Sequence, residues 1–219
     1  MTARRPRIAT SGVATGRGDD GTTGLLFGGP RVAKDDPRTE AYGTIDEAVA
    51  ALGMARAELM ADPAAAPSGS ITSARLVESI LHLQRELFVV GAELATGPHA
   101  ADRLVDGTTR VSEAMVDALE ATLAEYEAAI VMPREFVVPG ETRASAALEL
   151  ARTIVRRAER RVVTLHRADG IAGPWLLPYL NRLADLLWIL ARAAEQAASR
   201  PAVPARTDAR RPRRPRRTA

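Results

Sequence analysis

The sequence has no cysteine, few aromatic residues, and a single lysine, Lys34, among its 30 basic residues. Without cysteine, the chain cannot form a disulfide or offer a thiolate to a metal ion. No stretch reaches the roughly 18 consecutive apolar residues that a membrane-spanning helix needs. Residues 1–21 include arginines but no apolar core of a secretory signal. We therefore expect a cytoplasmic protein that contacts no membrane, with one domain because 219 residues suffice for one core.

The positive charge is concentrated at the two ends of the chain. Residues 200–219 include eight arginines and one aspartate, and three more arginines lie within the first seven residues. These ends contribute +10 to a total of only +3, so residues 8–199 carry −7. Four prolines among the arginines of 200–219 predict a disordered basic tail. The tail could bind an acidic partner or nucleic acid, but it lacks interleaved aromatic residues, so an inert solvated tail is an equal alternative and we do not expect nucleic acid as a partner.

Apolar residues recur with helical spacing in five segments, and no segment alternates convincingly as a strand does. The first segment begins with Asp36 as a helix cap and Pro37 in the first turn. The other four cover about 70–95, with Phe88 among its predicted core residues, and about 111–131, 142–167 and 175–199. Residues 62–70 predict a linker and 133–140 an extended connection. The pattern predicts an all-α bundle of five helices over residues 8–199.

The fourth segment contains a dense run of arginines, Arg152-Thr-Ile-Val-Arg-Arg-Ala-Glu-Arg-Arg161. At 3.6 residues per turn, Arg152, Arg156 and Arg160 lie on one stripe of the helix, with Glu159 beside them. Three like charges one turn apart repel each other, so an anionic group should face the stripe. The sequence leaves three candidates for that group: a carboxylate of this chain, a partner chain or a polyphosphate.

Residues 18–24, Gly-Asp-Asp-Gly-Thr-Thr-Gly, have the composition of a loop that cradles phosphate. Glycine lets the backbone approach a ligand closely, and hydroxyl and amide groups donate hydrogen bonds. The segment lacks the Gly-Lys-Ser/Thr of a Walker A loop, so a flexible acidic turn is the alternative. The compact ammonium of Lys34 suits a single phosphate oxygen, although one lysine can also survive by chance in an arginine-rich sequence.

Other polar residues lie within or beside apolar stripes. Asp46 is near the apolar stripe of the first helix, where a buried carboxylate would need a cation; an exposed charge pair with Glu47 is the alternative. Asn181, Asp185 and Arg192 share one stripe of the fifth helix, and an amide near a helix start suits a nucleotide as well as an ordinary cap. No metal-ligand spacing connects the three histidines, His82, His99 and His166.

Six motifs follow one another in a fixed order along the chain. They are Thr15-x-x-Gly-Asp-x-Gly-x-Thr23, Lys34-Asp-Asp-Pro-Arg38, Ala41-Tyr-Gly-x-x-Asp-Glu47, Phe136-Val-Val-Pro-Gly140, Ala151-Arg-Thr-x-x-Arg-Arg-Ala-Glu-Arg-Arg161 and Tyr179-Leu-Asn-Arg-Leu-x-Asp185. In this order the sequence resembles the ATP:cob(I)alamin adenosyltransferases of the propanediol-utilisation type over about residues 15–195. Each motif alone is modest, but all six in register are highly specific to that family.

The resemblance implies a homotrimer of five-helix bundles, each with an N-terminal ATP-binding loop, and active sites between subunits. It implies transfer of the 5′-deoxyadenosyl group of ATP to the cobalt of cob(I)alamin or a related reduced corrinoid, with release of tripolyphosphate. Mg²⁺ would be bound mainly by the ATP phosphates, and a cobalamin-dependent enzyme could accept the product. Cob(I)alamin is itself a strong nucleophile, so the protein has to orient the reactants and stabilise the leaving group.

The resemblance also implies roles for individual residues. The loop residues that would bind ATP are Thr15, Gly16, Arg17, Gly18, Thr23, Gly24 and Lys34. The helix residues that would bind ATP, its triphosphate and Mg²⁺ are Arg156, Arg157, Ala158, Glu159, Arg160 and Asn181. Asp46 would pair with Arg152, within one subunit or across the interface, and Phe136 would displace the lower axial ligand of cobalt. The expected catalytic residues are Asp46, Phe136, Arg152 and Arg156.

Five positions differ from the residues that the family usually has. Val49 replaces an asparagine and Ala184 replaces a serine, and the other three put ATP binding or the corrinoid pocket in doubt. Gly16 replaces a lysine or arginine, Glu141 replaces the second glycine after Pro-Gly, and Glu149 replaces a histidine. A non-catalytic ATP or cobalamin carrier or sensor of the same fold is therefore an alternative to the enzyme. A helical interaction module that works through the Arg-rich tail is a third hypothesis.

Overall fold

The computed structural model describes residues 10–61, 71–168 and 170–206. The helices of the bundle are α1 Pro37–Ala61, α2 Ser73–Leu94, α3 Glu113–Ala129, α4 Arg143–Arg167 and α5 Leu176–Ala197, and a 3₁₀ helix, Pro98–Arg103, follows α2. The short strands are β1 Thr22–Thr23, β2 Val32–Ala33, β3 Val137–Val138 and β4 Val203–Pro204. The predicted all-α five-helix bundle is confirmed, and its helices lie where the apolar periodicity placed them.

Capping side chains determine where two of the site-bearing helices begin. Asp36 precedes α1, and its Oδ1 atom accepts a hydrogen bond from the N–H of Arg38 at 2.8 Å. This bond satisfies one of the unpaired donors of the first turn. α4 begins with a capping box, in which the side chains of Thr142 and Ser145 each accept from the other's backbone N–H. The caps fix the start of the two helices that carry most of the predicted site residues.

α5 supplies the apolar centre of the bundle. Its predicted seam is completely buried at Leu180, Leu183, Leu187 and Leu190. Burial of one such side chain contributes roughly 1.5–3 kcal/mol, so this seam is a major source of stability. α5 packs against α4 and α3, α4 packs against α1, and α1 packs against α2. α1 and α4 therefore lie side by side, each with one face in the core.

Three ion pairs run along the contact between α1 and α4. They join Arg161 to Glu40, Arg157 to Glu47 and Arg143 to Glu58. Because residue numbers rise along α1 as they fall along α4, the two helices are antiparallel. The start of α1 consequently lies beside the C-terminal half of α4.

Some local features differ from the sequence predictions. Phe88 is 67% exposed on α2, so its predicted place in the core is wrong. Helical periodicity identifies an apolar face but not what covers that face. The 3₁₀ helix and the two-residue strands are too short to give a periodic pattern. Within the described residues, no helix is both long enough and apolar enough to cross a membrane.

The chain after α5 differs from the predicted disordered tail that starts at Arg200. β4 pairs antiparallel with β3, so the chain folds back onto the connection between α3 and α4. The folded part therefore extends past residue 199 to include β4. Residues 207–219 of the predicted tail, and the predicted linker at 62–70, lie outside the described residues.

Candidate active site

A short hairpin shapes the N-terminal loop. β1 and β2 pair antiparallel, and directly after β2 the N–H of Lys34 donates to the carbonyl of Gly21 at 2.9 Å. The Lys34 side chain then lies against Gly18, where an added Cβ atom would be 2.8 Å from Nζ. Only glycine leaves room for the ammonium group in this position. The fold thus brings the lone lysine together with the glycine-rich segment, as binding of one phosphate by both would require.

Arg31 fastens the turn between Arg17 and Thr22, a role that the sequence did not reveal. Its Nε atom donates to Thr22 Oγ1 at 2.7 Å, and its Nη2 atom donates to the carbonyls of Arg17 at 2.7 Å and Thr22 at 2.9 Å. Hydrogen bonds from Thr22 lower the pKa of Asp20 in the same turn. The bonds of Arg31 go mainly to backbone carbonyls, which no sequence motif indicates. The only sequence feature that could have identified this role was its position directly before a strand.

The first residues of the predicted ATP loop are open to solvent. Thr15 and Arg17 are exposed, and Gly16 has φ = 67°, in the left-handed region. A side chain at this φ costs about 1 kcal/mol, so the backbone favours glycine over the basic residue that the family usually has there. Arg17 provides an exposed guanidinium one position later.

Backbone and side-chain bonds attach the end of this loop to the bundle. The N–H of Leu26 donates to the carbonyl of Ala95 at 2.8 Å, directly after α2. The Nε2 atom of His99 lies 3.1 Å from the carbonyl oxygen of Gly28. His99 therefore has the structural place that the absence of metal-ligand spacing predicted.

The arginines of α4 fall into two groups. Arg157 and Arg161 are held by glutamates of α1. Arg156 and Arg160 are exposed, and the described part of the chain places no carboxylate within salt-bridge distance of either. Ala158, predicted beside them as a nucleotide contact, is instead fully buried, because the apolar face of α4 passes through it. Two neighbouring guanidinium groups are therefore available to an anion that the described chain does not supply.

Arg152 is not paired with Asp46 inside one chain, so that form of the prediction is wrong. The Nε atom of Arg152 donates to Glu149 Oε2 at 2.6 Å, while Asp46 is exposed on α1. The nearer carboxylate of α4 itself satisfies the guanidinium, at a position where the family usually has histidine. The pair between two subunits stays a prediction.

Glu149 also belongs to a buried charge network. Its Oε1 atom accepts from Nη1 of Arg192 at 3.2 Å, and Arg192 binds the two oxygens of Glu195 at 2.8 Å each. Arg192 is 0% exposed, so the predicted polar stripe of α5 is buried at this residue. Two arginines and two glutamates, counting Arg152, balance each other's charge at the edge of the core.

Asn181 and Glu159, both predicted to act on the nucleotide, are in contact between α5 and α4. Asn181 Nδ2 donates to Glu159 Oε1 at 3.3 Å, and Asn181 Oδ1 accepts from Arg182 Nη1 at 2.8 Å. Arg182 is held in turn by Glu120 of α3 at 2.7 Å. The amide is thus oriented by neighbours on both sides.

Two aromatic rings protrude from the surface of the bundle. Phe136, just before β3, is 89% exposed, and Phe88 borders a mostly apolar cleft of about 260 Å³. The cleft is lined by Leu26, Tyr42, Asp46, Leu87, Phe88, Gly91, Ala92 and Ala95. Exposed apolar surface of this kind marks a place where a ligand or a partner binds. Asp46 is the one charged residue in the lining.

A second group of titratable residues lies between α2 and α5. His82 Nε2 is 3.3 Å from one oxygen of Glu86, and the OH of Tyr179 donates to the other at 2.8 Å. Burial raises the pKa of Glu86 and raises that of Tyr179 well above its ordinary value. In the parts of the chain that the structure describes, no three histidine, aspartate or glutamate side chains converge as metal ligands would.

Comparisons with known proteins agree with this arrangement. The sequence model of the family described as cobalamin adenosyltransferase matches residues 13–194. A corrinoid adenosyltransferase of Citrobacter freundii is 39% identical over 183 residues, which are 84% of this chain and 94% of that protein. One of Bacillus subtilis is 39% identical over 178 residues, 81% of this chain and 83% of that protein.

A solved structure shares the fold. It is a variant of a PduO-type ATP:corrinoid adenosyltransferase from Lactobacillus reuteri, complexed with cobalamin and ATP. The TM-score is 0.75 at 30% identity, and the match covers 89% of this chain and 97% of that one. The family match, the relatives and the shared fold lead to one conclusion: the chain belongs to the cobalamin adenosyltransferase family.

Proposed function

We propose that the chain transfers the 5′-deoxyadenosyl group of ATP to the cobalt of cob(I)alamin or a related reduced corrinoid. The observation that carries the proposal is the pair of exposed guanidinium groups of Arg156 and Arg160, which have no carboxylate partner among the described residues. They lie on the half of α4 that borders the start of α1, and Lys34 lies just before that start. A polyphosphate between the loop and α4 would satisfy all three cations.

For this reaction the protein has to orient the two substrates and stabilise the charge on the leaving group. The electron pair of cob(I) attacks C5′ of the ribose, a cobalt–carbon bond forms, and the bond from C5′ to the α-phosphate oxygen breaks. That electron pair leaves with tripolyphosphate, and no proton needs to move. Donors that are already in place where charge develops lower the barrier most, and the arginines of α4 are such donors.

The loop residues and the helix residues would bind different parts of the nucleotide. Around the phosphates we place Thr15, Gly16, Arg17, Gly18, Thr23, Gly24 and Lys34, together with Arg156, Arg157 and Arg160 of α4. Asn181, whose amide contacts Glu159 and Arg182, would contact the nucleoside. Arg157 is already paired with Glu47, so it contributes less net charge than its two neighbours.

Mg²⁺ would enter with ATP. No cluster of three acidic or histidine ligands occurs within the described residues. Mg²⁺ usually keeps several waters and binds substrate phosphates with one or two carboxylates. Glu159, which lies beside Arg156 and Arg160 on α4, is the carboxylate that would bind the ion. The bound Mg²⁺ would then help to neutralise the charge of the leaving group.

We further propose a homotrimer in which Asp46 pairs with Arg152 across an interface between two copies. Asp46 is exposed at the edge of the apolar cleft beside Phe88, as an interface residue would be. A second copy packed there would bury the Phe88 ring. The setting would be the cytoplasm, where ATP is abundant, and a cobalamin-dependent enzyme would accept the product.

A single-turnover experiment tests the activity. The purified chain is mixed with Mg²⁺, ATP and chemically reduced cobalamin, and the decay of the cob(I)alamin spectrum is followed together with adenosylcobalamin and tripolyphosphate. We expect the two products in equal amounts. Binding of ATP and cobalamin without either product would instead support the carrier or sensor, and would overturn the proposed enzyme.

A further inference from the structure

The connection between α3 and α4, residues 130–142, is held by the end of α5 and the residues after it. Gln196, in the last turn of α5, accepts from the N–H of Val131 at 2.9 Å and donates to the carbonyl of Val131 at 2.8 Å. Farther along, β4 pairs with β3, and the N–H of Ala205 donates to the carbonyl of Phe136 at 2.7 Å. The connection is therefore clamped at two points by one continuous stretch of chain.

The residues of β4 suit this pairing. Phe136 and Ala205 form a hydrogen-bonded pair, so the next pair along the ladder, Val137 and Pro204, is one whose N–H groups point away from the partner strand. Proline has no N–H, and at this place none is needed. A proline-rich stretch can thus form the strand even though its composition predicts disorder.

Apart from the Gln196 side chain, packing contributes little to holding the connection. Most of residues 131–140 are exposed, and the described residues give the Phe136 ring almost no cover. The backbone N–H of Ala205 and the side-chain amide of Gln196 therefore fix the backbone from which this ring projects. An aromatic ring that is fixed by backbone bonds but left uncovered is prepared for a partner outside the chain.

We propose that β4, through Ala205, positions Phe136 for the corrinoid, so that residues beyond the helical bundle take part in corrinoid recognition. The inference rests on the proposed function, in which Phe136 displaces the lower ligand of cobalt. Ala205 is a positioning residue, since it acts through the backbone of Phe136. Loss of β4 should impair use of the corrinoid and leave use of ATP intact.

Two alanine-to-proline variants of the full chain test this. Ala205→Pro removes the N–H that binds the Phe136 carbonyl, whereas Ala202→Pro, the matched control, removes no hydrogen bond that the described structure contains. We expect Ala205→Pro to raise KM for cob(I)alamin about tenfold, the effect of one lost hydrogen bond, with KM for ATP within about twofold of wild type. Ala202→Pro should have the wild-type KM for cob(I)alamin and the wild-type KM for ATP.

A spectroscopic measurement separates positioning from general damage. With ATP bound, cob(II)alamin on the wild-type protein should show the absorption change of a lost lower ligand. Ala205→Pro should reduce that change, and so should Gln196→Ala, which releases the other clamp. Phe136→Ala should abolish it. Adding Ala205→Pro to Phe136→Ala should not raise the KM for cob(I)alamin beyond that of Phe136→Ala alone, because both act on one ring.

The possible failures are distinct. Ala205→Pro with the corrinoid KM and the cob(II)alamin spectrum of wild type would overturn the positioning role while leaving the proposed activity in place. Additive increases of the corrinoid KM in the double variant would overturn it too. A wild-type chain that formed no adenosylcobalamin would overturn the proposed function, and this inference with it.

Discussion

The guanidinium of Arg152 lies 2.6 Å from the carboxylate of Glu149, on the next turn of the same helix. The second oxygen of that carboxylate binds Arg192, which is completely buried on α5. One glutamate thus connects an arginine at the rim of the site to an arginine in the core. Histidine, usual in the family at this position, could not accept from both, so the departure at Glu149 has a structural explanation.

Replacing Glu149 should destabilise the fold. Glu149→Ala leaves the buried Arg192 with Glu195 alone, and removal of one partner from a buried charge network costs about 3–5 kcal/mol. We expect a loss of about 3 kcal/mol in the free energy of unfolding, measured by urea denaturation. Glu120→Ala removes a half-exposed partner of Arg182 and should cost under about 1 kcal/mol. Equal losses in the two variants would contradict the network's role.

The five helices were predictable because each repeats its apolar positions over several turns. The buried leucine seam of α5 and the Asp36 cap of α1 are both local patterns, which a sequence displays directly. The glycine-rich loop and Lys34 could be connected only through the resemblance, since their contact depends on the β1–β2 hairpin.

Contacts between distant parts of the chain were not predictable. Glu149 and Arg192 are 43 residues apart, and either could have been a surface charge. Phe88 belongs to an apolar stripe, yet the bundle leaves it uncovered. β4 lies in a proline-rich stretch whose composition predicts disorder, and its pairing depends on where α5 ends. Each outcome is decided by tertiary packing, which local sequence does not encode.

Arg156 and Arg161 should differ sharply in their effect on turnover. Arg156 is exposed without a carboxylate partner in the described chain, whereas Arg161 is paired with Glu40 at 3.3 Å on the surface. Arg156→Ala should lower kcat about 10²–10³-fold, as loss of a donor at a developing charge does. Arg161→Ala should change kcat less than about twofold. Single-turnover rates compare them, and similar losses would refute the division of α4 into two groups.

Stability should depend on pH through Glu86. Burial raises the pKa of this carboxyl, so the folded state holds its proton more tightly than the unfolded state. The stabilising contribution is therefore complete at acid pH and is lost as pH rises through the raised pKa. The Glu86→Gln side chain cannot ionise and keeps an acceptor for Tyr179. The free energy of unfolding of this variant should therefore increase relative to that of wild type as pH rises.

Urea unfolding at several values between about pH 4.5 and about pH 8 measures that difference. His82 faces the same carboxyl, and when protonated it favours the ionised form. In a His82→Asn background, the increase in stability of Glu86→Gln relative to its parent should therefore grow more with pH. A difference that stayed constant, or that fell with pH, would show that the burial of Glu86 does not govern its titration.

A methyl group at Gly18 should weaken ATP binding by displacing Lys34. The added Cβ would lie 2.8 Å from Nζ and 2.9 Å from Cε, so the flexible side chain has to swing away from the loop. The closest atoms belong to the far end of this side chain, and the carbonyl oxygen of Thr22, at 3.3 Å, has to shift only slightly. The cost should therefore appear mainly in the Kd for ATP, raised about fivefold or more, and hardly in the free energy of unfolding. Gly12→Ala is the matched control, since its Cβ would meet nothing within 4 Å.

Isothermal titration with ATP measures both variants, and Lys34→Met should remove the difference between Gly18→Ala and the parent. If Gly18→Ala weakened ATP binding equally in the Lys34→Met background, the methyl group would act on the backbone of the loop and the ammonium would have no part in the effect.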